Sequence, residues 1–319
     1  MTEAMTPDAP VAHLAHGGPE DAHRFVTSDG TALHVRESGP AGAQVTVLLV
    51  HGWAVDHRSW DRVACELGPG IRVLRYDHRC HGGSECGPRE ATTIEQLADD
   101  LAELIESRVP HGPLVLAGHS MGGMAVMALA ERHEELVRHR VSAVAFVATS
   151  SGGLPKTPFG LPRPVVRSAA AVVRAVNARR ATHSDARPVL PADRAPANAL
   201  VSMMLWPALR LMLYGSGARW SDVRQTAVQV GRAHRASMAG FRRSISAHQR
   251  AVALRAFRDM PAVVFAGGAD RLCPPVHARR IARSLPGAEY VVFPAAGHML
   301  PHERAAEVAG RIARLTTTR

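Results

Sequence analysis

A serine attacks an acyl carbon only if its hydroxyl projects clear of the backbone and a base stands ready to take its proton. Gly118-His119-Ser120-Met121-Gly122, followed by Gly123, suits the first condition. The apolar run Leu114–Ala117 precedes it and the helix-like stretch Met121–Glu131 follows, so the pentapeptide falls at a strand-to-helix turn. Glycines around Ser120 let the chain turn sharply there without a side-chain clash. A turn that only packs would use the same glycines, so the partners must decide.

Two partners stand downstream. Val263-Val264-Phe265-Ala266 leads through Gly267-Gly268-Ala269 to Asp270, and Val291-Val292-Phe293 leads to Ala296-Gly297-His298. In a parallel sheet the C-terminal ends of the strands share one edge, so Ser120, Asp270 and His298 can converge there. His298 would then take the Ser120 proton while Asp270 fixes its tautomer. Asp270 also reads as a solvated turn residue, and His298 competes with seventeen other histidines, including His302. None of those follows a glycine at a strand end so cleanly. The other place for an acid, Ala148-Thr149-Ser150-Ser151-Gly152, holds no carboxylate. A tetrahedral intermediate also needs two fixed donors, and the Met121 N–H at a helix N-terminus offers one.

Elements of the right kind surround these residues. Val45–Val50, Ile71–Tyr76, Leu114–Ala117, Val141–Ala148, Ala262–Ala266 and Tyr290–Phe293 are continuous β-branched and aliphatic runs, as in strands buried on both faces. Thr93–Ser107 carries Ile94, Leu97, Ala98, Leu101, Leu104 and Ile105 on one helical stripe, and Ala278–Ser284 reads likewise. The alternation predicts an α/β fold with a mostly parallel central sheet flanked by helices. Arg24–Val26 and Ala32–Arg36 add short strands around the turn Ser28-Asp29-Gly30. The rhythm stops between residues 154 and 258, where helical runs and clustered prolines replace strands. We expect a flexible arm over 1–23, a core over 24–153 and 259–319, and an inserted helical cap over 154–258. No internal repeat is visible.

The motifs together resemble the α/β-hydrolase superfamily. Gly-His-Ser-Met-Gly-Gly at 118–123, Asp270, His298, His51-Gly52-Trp53 after the Val45–Val50 run, and Tyr76-Asp77-His78-Arg79 carry the resemblance. It covers about Arg24–Leu315, the cap matching in position only, and is closest to capped esterases, thioesterases and cofactor-free perhydrolases. It implies an oxyanion hole from the N–H groups of Trp53 and Met121, with His51 holding the loop rather than doing chemistry. Epoxide hydrolases and haloalkane dehalogenases of this fold place Asp at the elbow, whereas Ser120 implies an acyl substrate. One position departs from the pattern: Cys80 stands where D-x-R is followed by glycine, and His81-Gly82-Gly83-Ser84 completes the loop. That puts the local backbone geometry in question. The expected activity is a serine hydrolase cleaving carboxylic esters through an acyl-enzyme. The alternatives are a thioesterase releasing acyl or polyketide chains from an acyl carrier protein or CoA, a perhydrolase, or a binding module that kept the fold.

Composition bounds the rest. The 319 residues carry 38 basic and 28 acidic side chains, net +10, and all the basic residues but Lys156 are arginine. The 154–258 segment holds 18 basic residues against Asp185, Asp193 and Asp222, or +15, which leaves −5 for the remainder. A solvated arginine-rich surface, an acidic carrier protein or anionic substrate, and an anionic lipid or polymer surface are all compatible with that cap. A nucleic-acid partner is not expected, since the cap has few aromatics and no recognised binding module. Arg163, Arg167 and Arg174 would share one helical face. Met203, Met204, Trp206, Met212 and Tyr214 are candidates for an adaptable acyl pocket. Cys65, Cys80, Cys86 and Cys273 read as reduced thiols. No metal cluster, phosphate loop or dinucleotide fingerprint appears, so no cofactor is expected. With no signal peptide and no apolar run long enough for a transmembrane segment, a cytoplasmic protein is expected.

Overall fold

A computed structural model describes residues 21–154, 199–233 and 235–317 of the chain. Its strands are β1 (Asp21–Val26), β2 (Ala32–Ser38), β3 (Thr46–Val50), β4 (Arg72–Tyr76), β5 (Leu114–His119), β6 (Val141–Val147), β7 (Ala262–Gly267) and β8 (Glu289–Phe293). They form one sheet in the order β1-β2-β4-β3-β5-β6-β7-β8. β1–β2 and β2–β4 pair antiparallel and every later neighbour pairs parallel. This is the expected α/β-hydrolase sheet. β3 and β5 lie at its centre and are buried along their whole length, which is why they read as unbroken apolar runs. The Tyr290–Phe293 run does not fit that reading. β8 is an edge strand, and Val292 is 38% exposed.

Helices cover both faces. They are α1 (Asp61–Glu66), α2 (Ile94–Arg108), α3 (Met121–Arg132), α4 (Glu134–Arg140), α5 (Ala199–Leu213), α6 (Trp220–Arg232), α7 (Arg235–Ala247), α8 (Pro275–Ser284), α9 (Leu300–Glu303) and α10 (Ala305–Leu315). One apolar layer joins α2, α3 and α8 to the sheet, and the other joins α1 and α10 to its opposite face. α2 begins where Thr93, in extended conformation, accepts the Gln96 N–H at 3.1 Å. Its apolar stripe is buried as expected, but the stripe also buries Asp100. That carboxylate takes the Arg79 guanidinium in a two-pronged bond of 2.7 and 2.6 Å. Arg79 of the Asp77-His78-Arg79 motif is therefore a structural clamp between the loop after β4 and α2.

Within the segment read as the cap, α5 and α6 pack together over the sheet's C-terminal edge around Val55, Leu213, Tyr214, Val223 and Met299. Phe241 of α7 is buried in the core layer on the α2 side, and Ala253, Leu254 and Phe257 of the following turn are buried beside α3. Some of the segment's positive charge is set against core acids. Arg250 bonds Glu131 at 2.7 Å and also Glu95, and Arg255 lies 3.7 Å from Glu134. Arg163, Arg167 and Arg174 lie outside the described residues. Among the described residues no helix is long and apolar enough to cross a membrane.

Candidate active site

The turn after β5 is as sharp as its glycines require. Ser120 sits at φ 52° and ψ −118°, a left-handed backbone that costs a non-glycine residue on the order of 1–3 kcal/mol. Its neighbours hold it there: the Ser120 N–H donates to the Val147 carbonyl at 2.9 Å, and the Thr149 hydroxyl donates to the Ser120 carbonyl at 2.6 Å. A Cβ on Gly118 would fall 2.6 Å from the Gly123 backbone, and one on Gly123 would fall 2.7 Å from Thr149. Neither glycine can be replaced without moving the elbow.

The two downstream residues arrive at the same place. Ser120 Oγ lies 2.9 Å from His298 Nε2, and His298 Nδ1 lies 2.8 Å from Asp270 Oδ2. Asp270 is buried, so its negative charge is held by hydrogen bonds. Its other oxygen accepts the Leu272 and Cys273 N–H groups at 2.8 and 2.9 Å. Because an ionised carboxylate only accepts, Nδ1 must carry the imidazole proton, and Nε2 is left to receive the serine proton. The His298 ring is also fixed through its backbone. Its N–H donates to the Leu213 carbonyl at the end of α5 at 2.7 Å, and its carbonyl accepts from His119 Nε2 at 3.0 Å.

The loop after β3 abuts this elbow. A Cβ on Gly52 would fall 2.9 Å from His119 Nδ1 and 3.2 Å from Ser120 Cβ. Among the described residues, no acceptor takes the Trp53 or Met121 N–H. Met121 opens α3, so its N–H also lies at the positive end of the helix dipole. His51 is buried and holds the loop to the end of β4. Its Nδ1–H donates to the Gly52 carbonyl at 2.7 Å, and its Nε2 accepts the His78 N–H at 2.9 Å. Burial pushes the His51 imidazole below its usual pKa, in keeping with a neutral ring that both donates and accepts.

Cys80 answers the question its position raised. It adopts φ 64°, the conformation a glycine would take there, so the loop keeps its path with a cysteine in the strained position. It is paired with Cys86, which corrects the expectation that all four cysteines are free thiols. Cys65 and Cys273 are free.

The proposed pocket residues fall in three groups. Met203 and Met204 belong to α5, but their side chains lie outside the described residues. Trp206 and Met212 are half-buried and pack on the apolar cluster over the site, with Trp206 edge-on to Trp220 at 4.7 Å. Tyr214 is buried, its hydroxyl 2.7 Å from Thr226 Oγ1, 2.8 Å from His302 Nδ1 and 3.0 Å from the Asp222 carbonyl. The cluster also includes Val55, Met299 and Leu272, each beside a residue of the Ser120–His298–Asp270 group or its adjoining loop. Sequence reasoning missed Leu213 and Glu303. Glu303 accepts the Gly215 and Gly297 N–H groups at 2.8 and 2.9 Å, tying the turn after α5 to the His298 loop. A carboxylate one turn past a predicted site histidine was the available signal.

A sequence profile described as the alpha/beta hydrolase family matches residues 47–311. The chain belongs to the alpha/beta hydrolase family. Among curated relatives it is 30% identical to epoxide hydrolase B of Mycobacterium tuberculosis over 146 residues, 44% of this chain and 41% of that protein. It is 33% identical to a non-heme chloroperoxidase of Streptomyces lividans over 140 residues, 43% of this chain and 49% of that one. These matches thus span less than half of either relative. Among solved structures, the enol-lactonase from Burkholderia xenovorans superposes with a TM-score of 0.65 at 26% identity, covering 91% of this chain and 98% of that one. A thermophilic esterase from Thermogutta terrifontis gives 0.66 at 24% identity over 93% and 98%, a likeness of fold.

Proposed function

We propose that this alpha/beta hydrolase is a serine hydrolase of carboxylic esters. The observation that carries the reading is the unbroken chain from Ser120 Oγ to His298 Nε2 at 2.9 Å and from His298 Nδ1 to Asp270 at 2.8 Å. His298 takes the hydroxyl proton as Ser120 Oγ bonds to the acyl carbon, and the Met121 and Trp53 N–H groups receive the charge on the carbonyl oxygen. When the tetrahedral adduct collapses, the ester C–O bond breaks and His298 gives its proton to the departing alkoxide. Water then attacks the acyl-enzyme, His298 again taking a proton, and the acid is released with Ser120 restored. The apolar cluster of Val55, Leu213, Leu272 and Met299 supports an apolar acyl group.

The epoxide hydrolase relatives are not followed to their substrate, because the elbow here carries a hydroxyl rather than a carboxylate. A second reading, perhydrolysis, draws on the relative named a chloroperoxidase. There hydrogen peroxide replaces water at the acyl-enzyme and a peracid leaves. A fluorophosphonate probe should label Ser120, and the protein should hydrolyse short p-nitrophenyl esters, with Ser120→Ala losing both while keeping its circular dichroism and Tm. More than a few per cent of wild-type turnover in Ser120→Ala, or no labelling of the folded wild type, overturns the reading. Peracid formed on adding peroxide to the same assay would favour perhydrolysis.

A further inference from the structure

Residue spacing along the chain offers no sign of a metal site, yet the fold gathers one set of metal-ligating side chains away from Ser120. His34 on β2, His57 at the start of the turn after β3, and Asp77 at the end of β4 each offer a ligating atom, and these atoms all lie within 4.8 Å of one another. We propose that His34, His57 and Asp77 form a binding site for a divalent first-row metal ion of the zinc type, which clips β2, the oxyanion-side loop and β4 together.

The chemistry of the set supports this class of ion. Two imidazoles and one carboxylate are a borderline ligand set that favours zinc and its neighbours over magnesium or calcium, which take all-oxygen shells. Around a tetrahedral ion with bonds of about 2.0–2.1 Å, ligand atoms stand roughly 3.3–3.4 Å apart. The widest separation in the set therefore needs to close by about an ångström and a half at most, while the His57 Nδ1–Asp77 Oδ1 pair at 2.8 Å opens by about half an ångström; neither histidine is fully buried, and side-chain rotation can supply both movements.

The supporting contacts are also in place. Asp77 is fully buried, and its Oδ1 accepts the His57 backbone N–H at 2.7 Å and faces His57 Nδ1 at 2.8 Å. Its Oδ2 accepts the Gly83 N–H at 2.8 Å. Gly83 in turn lies under the His34 ring, where a Cβ would fall 3.0 Å from His34 Cγ. The His34 and His57 rings are 5.2 Å apart and tilted by 47°, so their edges converge rather than stack. The carboxylate is thus fixed by backbone donors while the two imidazoles supply the adjustable ligands, and such outer contacts orient a metal's ligands. Water would fill the ion's remaining positions. The ion would act as a structural clip and takes no part in the ester chemistry proposed for Ser120.

Zinc and cobalt(II) titrations of the full-length, chelator-treated protein test the site. One equivalent of Zn2+ should bind, raise Tm by about 5 °C when in hundredfold excess over Kd, and be displaced by Co2+ with the visible absorption of a four-coordinate site. His34→Gln and His57→Gln should each weaken zinc binding by about a hundredfold or more. A control lacking His13, His16 and His23 should bind as wild type does. Zinc-edge X-ray absorption on the wild type, which depends on no variant folding, should show two imidazole ligands. Failure to bind Zn2+ at micromolar concentration, binding that survives both glutamine variants, or a zinc shell without two imidazoles overturns the proposal. Ser120→Ala should bind zinc unchanged, so this site stands or falls separately from the proposed activity.

Discussion

Among the described residues, two buried aspartates each face a histidine Nδ1 at 2.8 Å, and they differ in how the rest of the carboxylate is used. In the Asp270–His298 pair, one oxygen takes both backbone N–H groups and the other is reserved for the imidazole. In the Asp77–His57 pair, both oxygens carry backbone donors, and the imidazole shares Oδ1 with its own N–H. The third neighbour differs as well: a serine hydroxyl at 2.9 Å from His298, and a second imidazole beside His57. One arrangement can pass a proton along a line, whereas the other braces a loop and presents nitrogen ligands. A histidine–aspartate contact therefore does not by itself identify an active site. The atom on the far side of the ring decides what the pair can do.

Asparagine at the two aspartates should separate these roles most sharply. In Asp270→Asn the amide oxygen can keep the Leu272 and Cys273 N–H groups, so folding should change little. The amide NH2 then faces His298 Nδ1 and forces the proton onto Nε2, where it can no longer accept from Ser120. We expect kcat on a p-nitrophenyl ester to fall by about 10⁴-fold, with Tm nearly unchanged. A loss below tenfold would remove Asp270 from the mechanism.

Asp77→Asn should do the opposite. Because both Asp77 oxygens accept N–H groups, an amide must turn its NH2 toward one donor whichever way it sits. The buried mismatch should cost about 2–3 kcal/mol in urea unfolding of the metal-free protein. Equal destabilisation by the two asparagines would erase the distinction drawn between the pairs.

These two pairs also mark how far the sequence could be read. Ser120, Asp270 and His298 were legible because each follows an apolar run and a glycine, and a parallel sheet brings strand ends to one edge whatever the helices between them do. Asp77 was visible as part of a motif, but its partners were not. His34 and His57 sit on separate elements with no fixed spacing, and only the antiparallel registry of β2 on β4 brings His34 alongside. Asp100 was hidden for another reason: the helical stripe that buries α2 predicts apolar neighbours and has no term for a carboxylate paired with Arg79. The apolar composition of Tyr290–Phe293 could not tell an edge strand from a central one, since that depends on whether a further strand pairs along its outer side. In the segment read as the cap, Arg163, Arg167, Arg174 and the side chains of Met203 and Met204 fall outside the described residues.

Another histidine, His302, sharpens the comparison by lacking a carboxylate partner of its own. His302 is 5% exposed, and its Nδ1 lies 2.8 Å from the Tyr214 hydroxyl. Burial, reinforced by the nearby Arg62 charge, pushes its pKa down from 6.5 to about 3. Between those two values the unfolded chain binds a proton that the folded protein refuses. Stability therefore rises with pH across that window, is complete above about 6.5, and falls on acidification. One such proton is worth about 1.4 kcal/mol per pH unit. Unfolding in urea at about pH 7.5 and 5.5 should accordingly show a loss at the lower pH. Because other buried histidines add to that loss, the informative quantity is the difference between wild type and His302→Asn. The variant should be less stable at both pH values, since Tyr214 loses its ring partner, but its loss on acidification should be smaller by about 1 kcal/mol. An identical acid loss in the two proteins would mean that His302 titrates as freely as an exposed imidazole, and that burial without a carboxylate is not what keeps it neutral.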